Sequence, residues 1–300
     1  MWFKNLRVYT FSQPFTAPAD FDSQLASYAF SPCQRHQSAS FGFVSPFGDG
    51  SEVLHHKTGS NILLCTRKEE KVLPASAIQA QIEEHAEKYA EEHGRPLPKK
   101  EKQALKEDII HQMLPQAFSR FSQMWAYIDV EGQRLIVDSS ASGKAEDFTA
   151  LLRGALGSLP VKPWGAPQPG DLYFTQWLQD KSAPTPFVLG TDAELKGTGE
   201  EAAVVRLKQQ DLVSAEIQSH LEHDKVATKL GLEWEEHMSL VLEDDFAIKR
   251  LKFSDIIKEQ NDDMATSTKA EQIDADFALM SLECNQLLDA LQATWEESVS

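Results

Sequence analysis

Apolar positions along this chain switch between two periods, and the switches divide it into segments. Near the start, Phe3, Leu6 and Val8 are offset from Trp2, Asn5 and Arg7, which predicts a strand over roughly Trp2–Phe11. Pro14 and Pro18 then lead to a helix carrying Phe21, Leu25 and Tyr28 at helical spacing. Strands fit Ser40–Val44 and Asn61–Arg67. From Ala75 to about Phe121 the period is helical, with Ile78, Ile82 and Tyr89 in one stripe and Leu105, Ile109, Met113 and Phe118 in a second. His93-Gly94-Arg95-Pro96 separates the stripes, so the segment reads as a helical hairpin whose second helix Pro115 kinks or restarts.

Strands return at Met124–Val130 and Arg134–Asp138 around a Glu131-Gly132 turn. A helix at about Ala145–Leu156, a Pro/Gly-rich connector at Leu159–Gly170 and a short helix at Asp171–Gln179 follow. Further strands fit Phe187–Leu189, Ala203–Leu207, Val226–Leu232, Met238–Leu242 and Ala247–Leu251, with a helix at Ser214–Leu221. The last helix, about Lys269–Glu296, puts Ile273, Phe277, Met280, Cys284, Leu287, Leu291 and Trp295 on one face with an acidic back.

Two internal echoes bear on the organisation. TRKEEKVLPASAIQ (66–79) parallels VRLKQQDLVSAEIQ (205–218), and Asp20-Phe21…Leu25 parallels Asp147-Phe148…Leu152. The expected fold is α+β: two related strand/helix halves, an inserted long helical hairpin and a C-terminal helix. Residues 1–74, joined by strands from 123–140, make the first half; 75–122 make the hairpin; 123–300 make the second half and the last helix.

Composition adds little until charge is placed along the chain. The 41% apolar and 25% charged fractions are ordinary for a soluble globular protein. No apolar run approaches the ~20 residues that span a bilayer, and the N-terminus lacks the pattern of a signal peptide. Cys33, Cys65 and Cys284, odd in number and far apart, suit reduced thiols in the cytoplasm. The net charge is −17, yet Arg95–Lys106 holds five cations against one anion, and Lys249-Arg250-Leu251-Lys252 forms a second basic knot. The acids are grouped too: Glu233–Asp245 has six carboxylates and Glu271–Glu297 seven, with no Lys or Arg in either run. Segregation of this kind gives a protein one cationic surface while the rest repels polyanions. Solvated helix faces are the plain alternative.

Enzyme signatures are poor. There is no phosphate-cradling loop ending in Gly-Lys-Ser/Thr and no glycine fingerprint. Ser139-Ser140-Ala141-Ser142-Gly143 lacks the leading Gly of a nucleophile elbow and reads as a loop before a helix. Cys33-x-x-His36 and His220-x-x-His223 each offer two metal ligands, but neither has a second pair at zinc-site spacing, so no metal or cofactor is expected. His55-His56 reads as ordinary surface, and Glu69-Glu70, flanked by Arg67, Lys68 and Lys71, as a salt-linked turn.

Six segments together carry a resemblance: WFKNLRVY at 2–9, CTRKEEKVLP at 65–74, LPQAFSRFSQ at 114–123, LLRGALGSLPV at 151–161, KQQDL at 208–212 and RLKFSD at 250–255. In this order and spacing the chain resembles the RdgC family of bacterial recombination-associated proteins. The matches run to about Ala278, and the last twenty or so residues match least. The resemblance implies a non-enzymatic homodimer closed into a ring, which binds duplex DNA without sequence preference, restrains RecA-driven recombination and works in the cytoplasm at the nucleoid. With it, Lys68, Lys71, Lys99, Lys100, Lys102, Arg120, Lys208, Lys249, Arg250 and Lys252 become the candidate DNA contacts. Phe118 and Phe121, on the residues alone core candidates, become candidate anchors of a dimer gate, Phe118 foremost. Two other classes stay open: an acidic adaptor that engages a recombination protein without tight DNA binding, and a nuclease without a visible motif.

Overall fold

The computed structural model describes residues 1–48, 50–199, 202–234, 237–262 and 268–297; Glu235 and Glu236 of the first acidic run lie outside them. Two antiparallel sheets form the body. The first is built from β1 (Arg7–Phe11), β2 (Ala39–Val44), β3 (His55–Thr58), β4 (Asn61–Val72), β5 (Phe118–Asp129), β6 (Arg134–Val137) and β7 (Val161–Pro163). Its strand order is β2-β4-β5-β6-β1-β7, with β3 paired to β4. The second contains β8 (Phe187–Gly197), β9 (Val204–Leu207), β10 (Lys225–Trp234), β11 (Met238–Glu243) and β12 (Ile248–Phe253), in the order β12-β11-β10-β8-β9.

Alternation along the strands gives the first sheet two apolar faces. Leu63, Tyr127, Ile136 and Val8 pair in a row across β4, β5, β6 and β1, and all four belong to the core shared with the second sheet. The intervening residues, Ile62, Leu64, Ala126, Ile128, Leu135 and Val137, face the other way. They meet α1 (Phe21–Ala26) and α4 (Ser142–Leu156) through Phe21, Leu25, Phe148 and Leu152.

Between these come α2 (Ala75–His93) and α3 (Lys99–Met113), then α5 (Gly170–Gln179), α6 (Ala215–Glu222), α7 (Asp255–Asp262) and α8 (Lys269–Glu297). The last is central. Phe277, Met280, Cys284, Leu287, Leu288 and Leu291 are wholly buried in the core shared by the two sheets, and Trp295 packs on Trp164 and Phe246. Burial pushes the Cys284 thiol and the Tyr127 hydroxyl well above their ordinary values. Polar links fix the helix along its length: Tyr127 donates to Asn285 at 2.9 Å, Asn61 to Ser281 at 3.1 Å and Thr58 to Asp274 at 2.7 Å. The N-terminal segment ties the sheets a second time. Leu6 and Ile248 exchange backbone hydrogen bonds of 2.8 and 3.0 Å, and Leu251 N donates to Lys4 O at 2.9 Å.

Several expectations need correction. The first strand begins at Arg7, because residues before it turn to pair with β12. Tyr28 lies beyond α1 and packs over Gly154 of α4. His55 and His56 form β3, Glu69-Glu70 is strand rather than turn, and the Leu159–Gly170 connector contains β7. The largest difference is at residues 118–121. These are strand, since β5 pairs in unbroken register with β4 from Asn61↔Asp129 to Val72↔Phe118. The acidic back of α8 is only partly solvated: Asp276 and Glu283 are buried, Asp276 against the Met1 amino group and Glu283 2.8 Å from His237. The two echo segments are both strand-turn-helix, but β4 lies inside its sheet and β9 at an edge.

Because Phe277 is fully buried where α8 meets Tyr127, Phe277→Ala should cost about 3–5 kcal/mol of folding stability. Chemical denaturation should show the loss in one cooperative transition; separate melting of the two sheets would contradict a shared core.

Candidate nucleic-acid interface

The hairpin is built at one end and bare at the other. Its apolar contacts join Ile78, Ile82 and Ile109 to Leu73, Leu105, Ile110 and Met113. Towards the tip, α2 ends in a left-handed Gly94 (φ 65°) whose N–H reaches Ala90 O at 2.9 Å, a conformation that suits a residue without Cβ. Arg95 then folds back to donate to Tyr89 Oη at 3.0 Å, and Tyr89 stacks on His93 with centroids 4.1 Å apart.

Lys99, Lys100 and Lys102 occupy the first turn of α3, exposed, and among the described residues none of the three has an ion pair. This is the end of a helix where the backbone dipole disfavours cations. Only Glu101 opposes them there, while Glu83, Glu84, Glu87, Glu91 and Glu92 all belong to α2. The hairpin is therefore acidic on one helix and basic at the start of the other. With 19 residues in α2, the basic turn stands about 28 Å from the hairpin's base at 1.5 Å per residue.

At that base, β4 and β5 form a ribbon with different contents on its two faces. On one, Arg120 Nη2 donates to Glu70 Oε2 at 2.7 Å and Lys68 Nζ lies 3.2 Å from Glu70 Oε1. On the other, Ser119 donates to Glu69 Oε1 at 2.5 Å, Cys33 N to Glu69 Oε2 at 2.7 Å, and Lys71 to Ser119 at 2.9 Å. Lys71 is mostly covered and its charge is spent inside this joint. The joint is continued by His36, which stacks on His111 of α3 with centroids 4.0 Å apart. The strand also separates the two phenylalanines. Phe118 and Phe121 point to opposite faces of the ribbon, 87% and 57% exposed, and a cavity of about 470 Å³ lined by Arg67, Ser122 and Gln123 opens beside Phe121.

The remaining cations lie on the second sheet. Lys208 and Arg250 rim a groove of about 520 Å³ over Gly190 and Gly231. Arg250 adopts φ 51° at a register shift in β12 and donates to Asp192 at 2.5 Å. Lys249 sits 2.6 Å from buried Glu243, the end of a ladder that crosses all five strands as Arg206, Glu194, Lys229, Glu243 and Lys249. Lys252 is exposed beside a different cavity, near Trp234 and His237.

The ten candidate cations thus fall in three places: α3, the ribbon and the second sheet. Lys71 and Lys249 are engaged internally; Lys68, Arg120 and Arg250 are paired but accessible; Lys99, Lys100, Lys102, Lys208 and Lys252 are exposed with no ion pair among the described residues. Residue pattern alone did not reveal the Glu69–Ser119–Cys33 joint, because its members are 36 and 50 positions apart. Among the described residues no three His, Cys, Asp or Glu side chains are grouped to hold a metal ion, and no helix is long and apolar enough to cross a membrane.

These features define an antiparallel α+β body that displays cations on a projecting hairpin, a ribbon and a sheet groove. The chain belongs to the RdgC family, whose model, described as "Putative exonuclease, RdgC", matches residues 1–297. It is similar to proteins named "Recombination-associated protein RdgC". One, from Aeromonas hydrophila subsp. hydrophila, is 45% identical over 294 residues, covering 98% of this chain and 97% of the relative. Those from Tolumonas auensis and Proteus mirabilis are 45% and 44% identical, with 97% and 96% of the relatives covered.

Two outcomes test the geometry. The Glu69 carboxyl is held below its ordinary 4.5 by the Ser119 hydroxyl, then by Cys33 N–H and the Lys71 charge. A depressed carboxyl contributes stability above its unfolded value that is lost as pH falls through the folded one. Thermal melts should therefore weaken below about pH 4.5, and Glu69→Gln should flatten that fall; an unchanged profile would remove Glu69 from the joint. Phe118→Ala, at an exposed position, should leave stability within ~0.5 kcal/mol of the parent in the same melts. A loss of several kcal/mol would make Phe118 a core residue.

Proposed function

We propose that this protein binds duplex DNA without sequence preference, encircles it as a homodimeric ring, and by occupying DNA restrains RecA-mediated recombination. The observation that carries the reading is the trio Lys99, Lys100 and Lys102, exposed and unpaired at a helix start. Cations there add to the positive end of the helix dipole at some cost to helix stability, an arrangement that favours a polyanion over folding alone. The recombination association in the relatives' names supports duplex DNA as that polyanion. Its phosphates, one charge per ~1.7 Å of axis, can be held by a modest set of Lys and Arg without base contacts.

A closed ring of two subunits needs two self-complementary contacts about one two-fold axis. Exposed Phe118 at the ribbon end suits one of them as an apolar anchor, and the body's opposite end the other. In such a ring the hairpin, the ribbon and the groove of the second sheet supply cations to the lumen, while acidic surface faces outwards. Binding of this kind, with no cofactor, accounts for a nucleoid-associated protein of net charge −17.

Titration of two unrelated duplexes across a salt series tests the reading. Affinity should fall linearly in log salt with equal slopes for both sequences. Lys99→Ala, Lys100→Ala and Lys102→Ala together should reduce the slope by up to about three. A flat salt response, or discrimination of more than tens-fold between the duplexes, would count against it. The exonuclease description of the family model predicts loss of duplex with Mg²⁺ or Mn²⁺ in the same tubes, and intact DNA is expected.

A further inference from the structure

Lys68 and Arg120 converge on one carboxylate in a way that has a use beyond fastening the ribbon. Glu70 stands directly opposite Arg120 in register and two residues from Lys68 on the same face. Each cation takes a different oxygen: Arg120 Nη2 is 2.7 Å from Glu70 Oε2, and Lys68 Nζ is 3.2 Å from Oε1. Asp147 of α4 flanks Lys68 at 3.6 Å. The cluster is therefore neutral as it stands, two cations against two carboxylates.

It is also open to solvent. The Arg120 side chain is 72% exposed and that of Lys68 33%. A phosphodiester presents two non-bridging oxygens with one negative charge between them, much as a carboxylate does, and an Arg beside a Lys is a common cradle for it. Both cations hold the Glu70 carboxyl below its ordinary value, Arg120 first, so it stays ionised at neutral pH.

We infer that Glu70 occupies a backbone-phosphate subsite formed by Lys68 and Arg120, standing in for the phosphate and holding the subsite shut until a duplex displaces it. The inference rests on the duplex-binding reading above and deepens it. The unpaired lysines of α3 attract the duplex first, and the ribbon cations contribute only where a phosphate outcompetes an internal carboxylate. Such a subsite limits affinity without lowering the number of cations.

Removing the stand-in charge should strengthen binding. At about 100 mM salt, Glu70→Gln should tighten duplex binding roughly three- to ten-fold and steepen the log–log salt slope by about one, the contribution of one added phosphate contact. Adding Arg120→Ala to Glu70→Gln should cancel most of the gain. Asp147→Asn, which removes one of the two carboxylates on Lys68 without touching either strand, should give a smaller gain in the same direction and serves if Glu70→Gln lowers the thermal midpoint. Equal or weaker binding by Glu70→Gln, a gain that survives Arg120→Ala, or no gain in Asp147→Asn would overturn the subsite. The parent protein separates this result from the broader reading. A normal salt slope in the parent without a Glu70→Gln gain removes only the subsite, whereas a parent with no salt-dependent binding removes both.

Discussion

Burial of α8 is the constraint on which the rest of the molecule depends. The helix places six wholly buried apolar side chains, Phe277 to Leu291, in the core of two sheets that the N-terminal segment also ties together. Helices α5 and α6 pack on the second sheet in the same core, through Phe174, Trp177, Leu178, Ile217 and Leu221. The first is lined there by Leu63, Tyr127, Ile136 and Val8, and the second by residues such as Leu230 and Leu242. Burying both faces in one core, with α8 joining the two sides, makes the body a single platform from which the β4/β5 ribbon and the hairpin extend.

Charge is distributed as that platform requires. Several cations of the body are neutralised where they stand, by the five-strand ladder ending at Lys249 and by Glu69 against Lys71. Such pairs are weak contributors to stability when solvated, but they take Lys249 and Lys71 out of the exposed positive surface. Cations without an ion pair among the described residues include Lys208 and Lys252 on the second sheet and a run of three, Lys99, Lys100 and Lys102, at the start of α3, where no packing requires them. A protein of net charge −17 that groups three unpaired lysines on a projection offers polyanions a narrow approach.

Much of this was legible in the sequence, for physical reasons that also mark where legibility stops. The α8 stripe from Ile273 to Trp295 is readable because one face is buried along the helix, so the helical period is nearly undiluted. The hairpin is readable because Gly94 and Pro96 interrupt two such stripes. Residues 118–121 were not, since Phe118 and Phe121 are three apart and follow a helix, while their strand character comes from β4, 50 positions away. Likewise the basic residues are visible in the sequence but their partners are not. Nothing local distinguishes Lys71, held by Ser119, from Lys99, held by nothing among the described residues.

The most direct test of the account compares retention on closed circular and linear duplex of equal length, with subunit mass measured alongside. A ring that encloses its ligand should be a dimer, should slide from linear ends as salt rises, and should remain on covalently closed circles under the same conditions. Equal loss from circles and linear duplex, or a monomer bound to both, would contradict encirclement and leave only a surface that attracts DNA.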